Sequence, residues 1–127
     1  VGSEMCIRDS PNLSVERNRS DFSALMQQAC LSISQAGYNT MTDILASRVP
    51  AVVVPFAEAN EIEQTLRARR LQDLGRLVML ESARLSAASL AAAVDQALDL
   101  DTSLEVDLNG AANSAALVAG WLEATPA

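Results

Sequence analysis

At 127 residues, half of them hydrophobic but only 3% aromatic, the chain suffices for one domain or a piece of one, with a core that must be built from Ala, Leu and Val. No apolar run reaches the roughly 18 residues of a membrane span, and two cysteines without a histidine argue against a disulfide framework and a structural zinc site. The net charge of −7 is concentrated after residue 80, where seven acids face one base, Arg84; this reads as a solvated face and disfavours nucleic acid as a partner.

Residues 1–10 (VGSEMCIRDS) have no hydrophobic period and resemble translated sequencing linker, so they are expected to be a non-native or disordered tail. In residues 12–16, Leu13 and Val15 alternate with polar neighbours and suggest a short strand. Ser20 is placed to cap a helix from Asp21, in which Phe22, Leu25, Met26 and Ala29 recur at i, i+3, i+4 and i+7. Cys30, at a helix-to-strand transition, reads as a small buried hydrophobe. Residues 31–34 (LSIS) read as a short buried strand, residues 37–39 as a turn, and Thr40 as the opening of a second helix to about Ser47. Pro50 stops that helix. Residues 51–54 (AVVV) are apolar throughout, as a parallel strand covered on both faces should be. After a loop, Asn60 caps a helix through Leu74 that Gly75 ends. Residues 77–80 (LVML) read as another strand, and Ser86 or Ser89 starts an Ala-rich helix to about Leu98. Residues 99–109 are loop-like, and residues 111–123 suit a last helix.

Strands and helices thus alternate through short connections, which predicts a parallel, Rossmann-like α/β sheet with flanking helices. Residues 11–100 read as the α/β domain and residues 101–127 as an acidic loop with a C-terminal helix.

In open parallel sheets ligands bind at the carboxyl ends of the strands. Two loops leave such ends. In the first, SQAGYNT over residues 34–40, Gly37 lets backbone approach a ligand, and the helix start behind it presents free N–H groups suited to a diphosphate. Asp43 is one turn further, in reach of a ribose diol. The same residues also spell a capping box, in which Thr40 and Asp43 only satisfy the helix start. The second loop, PFAEANEIEQ over residues 55–64, carries the same ambiguity. Glu63 and Gln64 together offer several acceptors and two donors to sugar hydroxyls, yet residues 60–63 also spell a cap, and Glu63 with Arg67 an i,i+4 ion pair. Arg67, Arg69 and Arg70 read as a solvated face.

The two loops in order, with the strand between them, carry a resemblance. Residues 31–71, LSISQAGYNTMTDILASRVPAVVVPFAEANEIEQTLRARRL, resemble the C-terminal domain of glycosyltransferase family 28, whose best-known member adds N-acetylglucosamine to lipid-linked peptidoglycan precursor. The shared pattern is S-x-x-G-x-x-T, an acid three residues on, the V-P-F core strand, and an acid or amide followed by Gln. The resemblance implies part of the C-terminal domain of a GT-B fold that binds a nucleoside-diphosphate sugar, a UDP-sugar by the same resemblance, for transfer to an unknown acceptor. It implies that Ser34, Gly37, Asn39 and Thr40 hold the diphosphate, Asp43 the ribose, and Glu63 and Gln64 the donor sugar. Asp43 is shorter than the Glu common there, and the Pro-Phe loop has Glu58 nearby where many relatives have His, which leaves the donor sugar open.

The resemblance also implies a missing N-terminal GT-B domain carrying the acceptor site and the catalytic base, so no catalytic residue is nameable and these residues alone are expected to be inactive. Neither cofactor nor metal is implied; a helix dipole and backbone N–H groups would stabilise the leaving diphosphate. Such a parent works in the cytoplasm or peripherally at the inner membrane face. Two rivals remain: a UDP-sugar 2-epimerase-like isomerase of the same fold, and a non-catalytic α/β interaction domain in which both loops are only caps.

Overall fold

Ala51, Val52 and Val53 are all fully buried and form the middle strand of a parallel sheet. The computed structural model describes residues 11–56 and 62–124. Through them run α1 (Phe22–Gln28), β1 (Ser32–Ser34), α2 (Tyr38–Ser47), β2 (Ala51–Val53), α3 (Glu63–Asp73), β3 (Val78–Met79), a 3-10 turn (Ser82–Arg84), α4 (Ala87–Leu98) and α5 (Gly110–Ala124). Among the described residues the sheet has three strands in the order β1-β2-β3, with Ser32 opposite Ala51, Ile33 opposite Val52, and Val52 opposite Val78.

The two-residue alternation of β2 explains why its whole length is apolar. Ala51 and Val53 pack with Met26, Met41, Ile44 and Ala68, from α1, α2 and α3 on one face. Val52 packs with Val78, Ala93 and Ala97, the last two from α4 on the other. The layers are thus helix, sheet, helix, as expected for this fold class, and small side chains let them close without aromatic bulk.

Local signals end the helices where the sequence marks them. At the end of α3 Gly75 has φ 68°; its N–H donates to Gln72 at 2.8 Å and that of Arg76 to Leu71 at 2.9 Å, the two bonds of a left-handed cap. Ser86 opens α4 with a capping box: its hydroxyl accepts from the Ser89 N–H at 3.1 Å, and Ser89 Oγ accepts from the Ser86 N–H at 2.8 Å. The loop after α4 is fastened underneath by Arg76, which is fully buried and donates to the Thr102 carbonyl at 2.6 Å. Burial lowers the pKa of this guanidinium, and Arg48 lowers it further.

Several expectations are corrected. No strand forms at residues 12–16, and Leu13 and Val15 remain half-exposed, because alternation makes a strand only where a neighbouring backbone pairs with it. Arg19 instead gathers Glu16 and Asp21 around itself at 3.0 and 2.8 Å. Asp21, not Ser20, precedes α1, and its carboxylate is taken by Arg19 rather than by the helix N–H groups. In the α1 stripe only Met26 is buried; Phe22 and Leu25 are half-exposed. Ile33 is half-exposed too, because β1 is an edge strand, and Cys30 just before it is an exposed thiol rather than a buried one. The helix α5 buries no residue. No helix among the described residues is long and apolar enough to cross a membrane. The tail at residues 1–10, Glu58, and the expected cap Asn60 lie outside the described residues; among the described ones, Ile62 directly precedes α3.

Candidate functional site

The parallel order puts the carboxyl ends of all three strands at one edge of the sheet, where a ligand crevice is expected. A cleft of about 480 Å³ lies there. Ile33, Ser34 and Gln35 line it from the end of β1; Val54, Pro55 and Phe56 from the end of β2; and Ser82 and Leu85 from the turn after β3. Its lining is mostly apolar, with Ser34, Gln35 and Ser82 as the polar residues, and the buried Oγ of Ser34 has no hydrogen-bond partner among the described residues.

Helix α2 starts beside that cleft. Gly37, in extended backbone at φ −61° and ψ 146°, takes the capping position, and its carbonyl accepts from the Met41 N–H at 3.0 Å. Tyr38 therefore opens the helix, two residues earlier than expected, and the capping box of Thr40 with Asp43 is not formed. Gly37 has no side chain to cap with, so the N–H groups of Tyr38, Asn39 and Thr40 face the open end of the helix. The backbone angles of Gly37 suit any residue. Among the described residues, a Cβ built there would meet nothing closer than Thr40 Oγ1 at 3.9 Å. Neither its conformation nor its packing against the described residues calls for glycine at this position.

Asp43 lies one turn further along α2, where its Oδ1 accepts from Ser23 Oγ of α1 at 3.0 Å. Across the cleft, Gln64 Oε1 accepts from the Phe56 N–H at 3.2 Å, which fixes the amide and leaves its NH₂ group to donate. Glu63 is 85% exposed and pairs with Arg67 at 3.1 Å. Of the seven expected residues, Ser34 alone lines the cleft; Gly37, Asn39 and Thr40 form the adjoining helix start, Asp43 lies further along α2, and Glu63 and Gln64 begin α3.

Arg67 does not belong to the solvated face assigned to it. Its Nη1 donates to the Ala36 carbonyl at 3.1 Å, and its guanidinium lies 5.4 Å from the centroid of the Tyr38 ring. The spacing of Glu63 and Arg67 was legible as an i,i+4 pair, but Ala36 is 31 residues away and nothing local announces that contact. Phe56, Ser82 and Leu85 were also unread as lining residues, because their meeting depends on the parallel order of the strands.

The family model described as the glycosyltransferase family 28 C-terminal domain matches residues 7–119. A protein of Chromohalobacter salexigens is 32% identical over 109 residues, covering 82% of this chain and 30% of its own length. One of Methylococcus capsulatus is 34% identical over 87 residues, covering 68% of this chain and 25% of its own. One of Synechocystis is 33% identical over 70 residues, covering 55% and 20%. All three are named UDP-N-acetylglucosamine–N-acetylmuramyl-(pentapeptide) pyrophosphoryl-undecaprenol N-acetylglucosamine transferase. The chain spans under a third of the length of these curated relatives.

Proposed function

Because this chain belongs to the glycosyltransferase family 28 C-terminal domains, we propose that it is the donor-binding part of a longer glycosyltransferase and takes a nucleoside-diphosphate sugar, of the UDP-N-acetylglucosamine class, at the start of α2. The diphosphate sits on the N–H groups of Tyr38, Asn39 and Thr40, at the positive end of the helix dipole, with Ser34 beneath. Asp43, with one oxygen held by Ser23, offers the other to the ribose diol. Gln64 donates to the donor sugar through its NH₂ group, and Glu63 accepts from a sugar hydroxyl. Transfer leaves the diphosphate with a growing negative charge as the glycosidic bond breaks. N–H groups already pointing at that charge stabilise it more in the transition state than in the bound donor.

The acceptor and the base that activates it come from elsewhere in the longer protein, including its N-terminal domain. The named relatives are N-acetylglucosamine transferases of a pyrophosphoryl-undecaprenol-linked substrate, and on this reading the longer protein works in the cytoplasm or at the inner membrane face.

The observation that carries the reading is Gly37, a glycine that neither its backbone angles nor its described neighbours require, at the cap position of a helix with no side-chain cap. Calorimetric titration of the full-length protein with UDP and with uridine tests it. UDP should bind far more tightly than uridine; equal binding of the two would refute the diphosphate assignment.

A further inference from the structure

We propose that Arg67 is a positioning residue that ties the sugar-facing start of α3 to the diphosphate-facing start of α2, so that the two halves of the donor site move as one; this rests on the donor-site reading above. The guanidinium makes three contacts. Nη1 donates to the Ala36 carbonyl at 3.1 Å, Nη2 donates to Glu63 Oε1 at 3.1 Å, and the plane lies 5.4 Å from the centroid of the Tyr38 ring. Ala36 and Tyr38 flank Gly37, while Glu63 precedes Gln64. One side chain therefore touches both loops that carry the site.

Magnitudes decide what this arrangement is for. The Glu63 carboxylate is 85% exposed, so its ion pair contributes at most about 1 kcal/mol to stability. Ala36 is fully buried, and a carbonyl there needs a donor, which Arg67 reaches in to provide with only 24% of its side chain exposed. The anchored end is the one at Ala36, and the exposed end is the one that is oriented. Arg67 thus directs the Glu63 carboxylate from a fixed point on the diphosphate loop. A planar fork with two parallel N–H edges can serve both acceptors while lying over a ring; a lysine ammonium cannot.

The test is calorimetry on the full-length protein with UDP and with UDP-N-acetylglucosamine, read as the ratio of the two affinities. Arg67→Met should weaken UDP-N-acetylglucosamine about tenfold and UDP about threefold, so that the preference for the sugar nucleotide falls. Glu63→Gln added to Arg67→Met should cost no further preference, because the carboxylate has already lost its orientation. A merely structural Arg67 would lower the melting temperature and leave the ratio alone. An unchanged ratio in Arg67→Met, or additive effects of the two substitutions, overturns the proposal. Arg67→Lys keeps the charge and the stem but loses the fork, and decides by the same ratio if the Met variant does not fold. If Gly37→Ala and Asp43→Asn bind UDP like the wild type, the donor-site reading itself fails. If they weaken UDP while the Arg67 variants keep the ratio, only the role of Arg67 fails.

Discussion

Gly37→Ala should leave the fold standing and disable the donor site. At φ −61° and ψ 146° an alanine is unstrained, and its methyl group meets nothing nearer than Thr40 Oγ1 at 3.9 Å, an ordinary contact. Two small terms act on stability in opposite directions. Removing a glycine from the unfolded chain stabilises by roughly 0.4–1 kcal/mol. Alanine is a poorer helix cap than glycine, by about 1 kcal/mol. The net is near zero, and the melting temperature should move by less than about 5 °C. Binding should respond differently. A methyl group at the open end of α2 occupies the space from which phosphate oxygens reach the N–H groups of Tyr38, Asn39 and Thr40. Each charge-assisted bond lost is worth about 1.5–3 kcal/mol, so UDP affinity should fall by at least about tenfold while uridine affinity hardly changes. Thermal unfolding and titration with both ligands measure the two halves. A variant that melts like the wild type and binds UDP equally well would refute the reasoning. So would one that melts far lower, since the glycine would then be structural.

Asp43→Asn should weaken UDP binding at least about tenfold. Because Asp43 is not the third residue of a capping box, its loss should shift stability by under about 0.5 kcal/mol in urea unfolding. Ser23→Ala should weaken UDP about threefold by releasing the Asp43 carboxylate, which the same titration reads. Gly75→Ala should cost about 1–2 kcal/mol from its φ of 68° alone, since no described neighbour lies within 4 Å of the added carbon; Gly75→Asn should cost less. Arg76→Met should be neutral or stabilising by about 1 kcal/mol in urea unfolding, because the buried guanidinium donates through Nη1 while Nε and Nη2 find no partner among the described residues. A large loss in that variant would show that Arg76 is satisfied in solution.

The site was half legible. The S-x-x-G-x-x-T pattern marked the helix start beside the cleft, and the pair Glu63 and Gln64 the start of α3. The register of the cap was misread, because Thr40 and Asp43 have the side chains of a capping box and Gly37 has none. A glycine caps through its backbone alone, which leaves no side-chain signature. Arg67 was misread because an arginine on a helix with charged neighbours ordinarily faces water, and only the neighbouring loop turns it inward.

What the sequence determined by itself is the order of elements from α1 onward and the parallel class of the sheet. The all-apolar Ala51–Val53, the glycine after α3 and the serine before α4 are signals whose partners lie within a few residues or whose meaning lies in periodicity alone. What the tertiary structure decided is every contact that closes across distance in the chain: Arg67 on Ala36, Ser23 on Asp43, Arg76 on Thr102, and the exposure of Ile33 on an edge strand. The reason is physical. Helix ends and strand patterns are set by backbone geometry over one or two turns. The partner of a long polar side chain is set by which elements the packed core brings beside it, and that is fixed only once the whole sheet has formed.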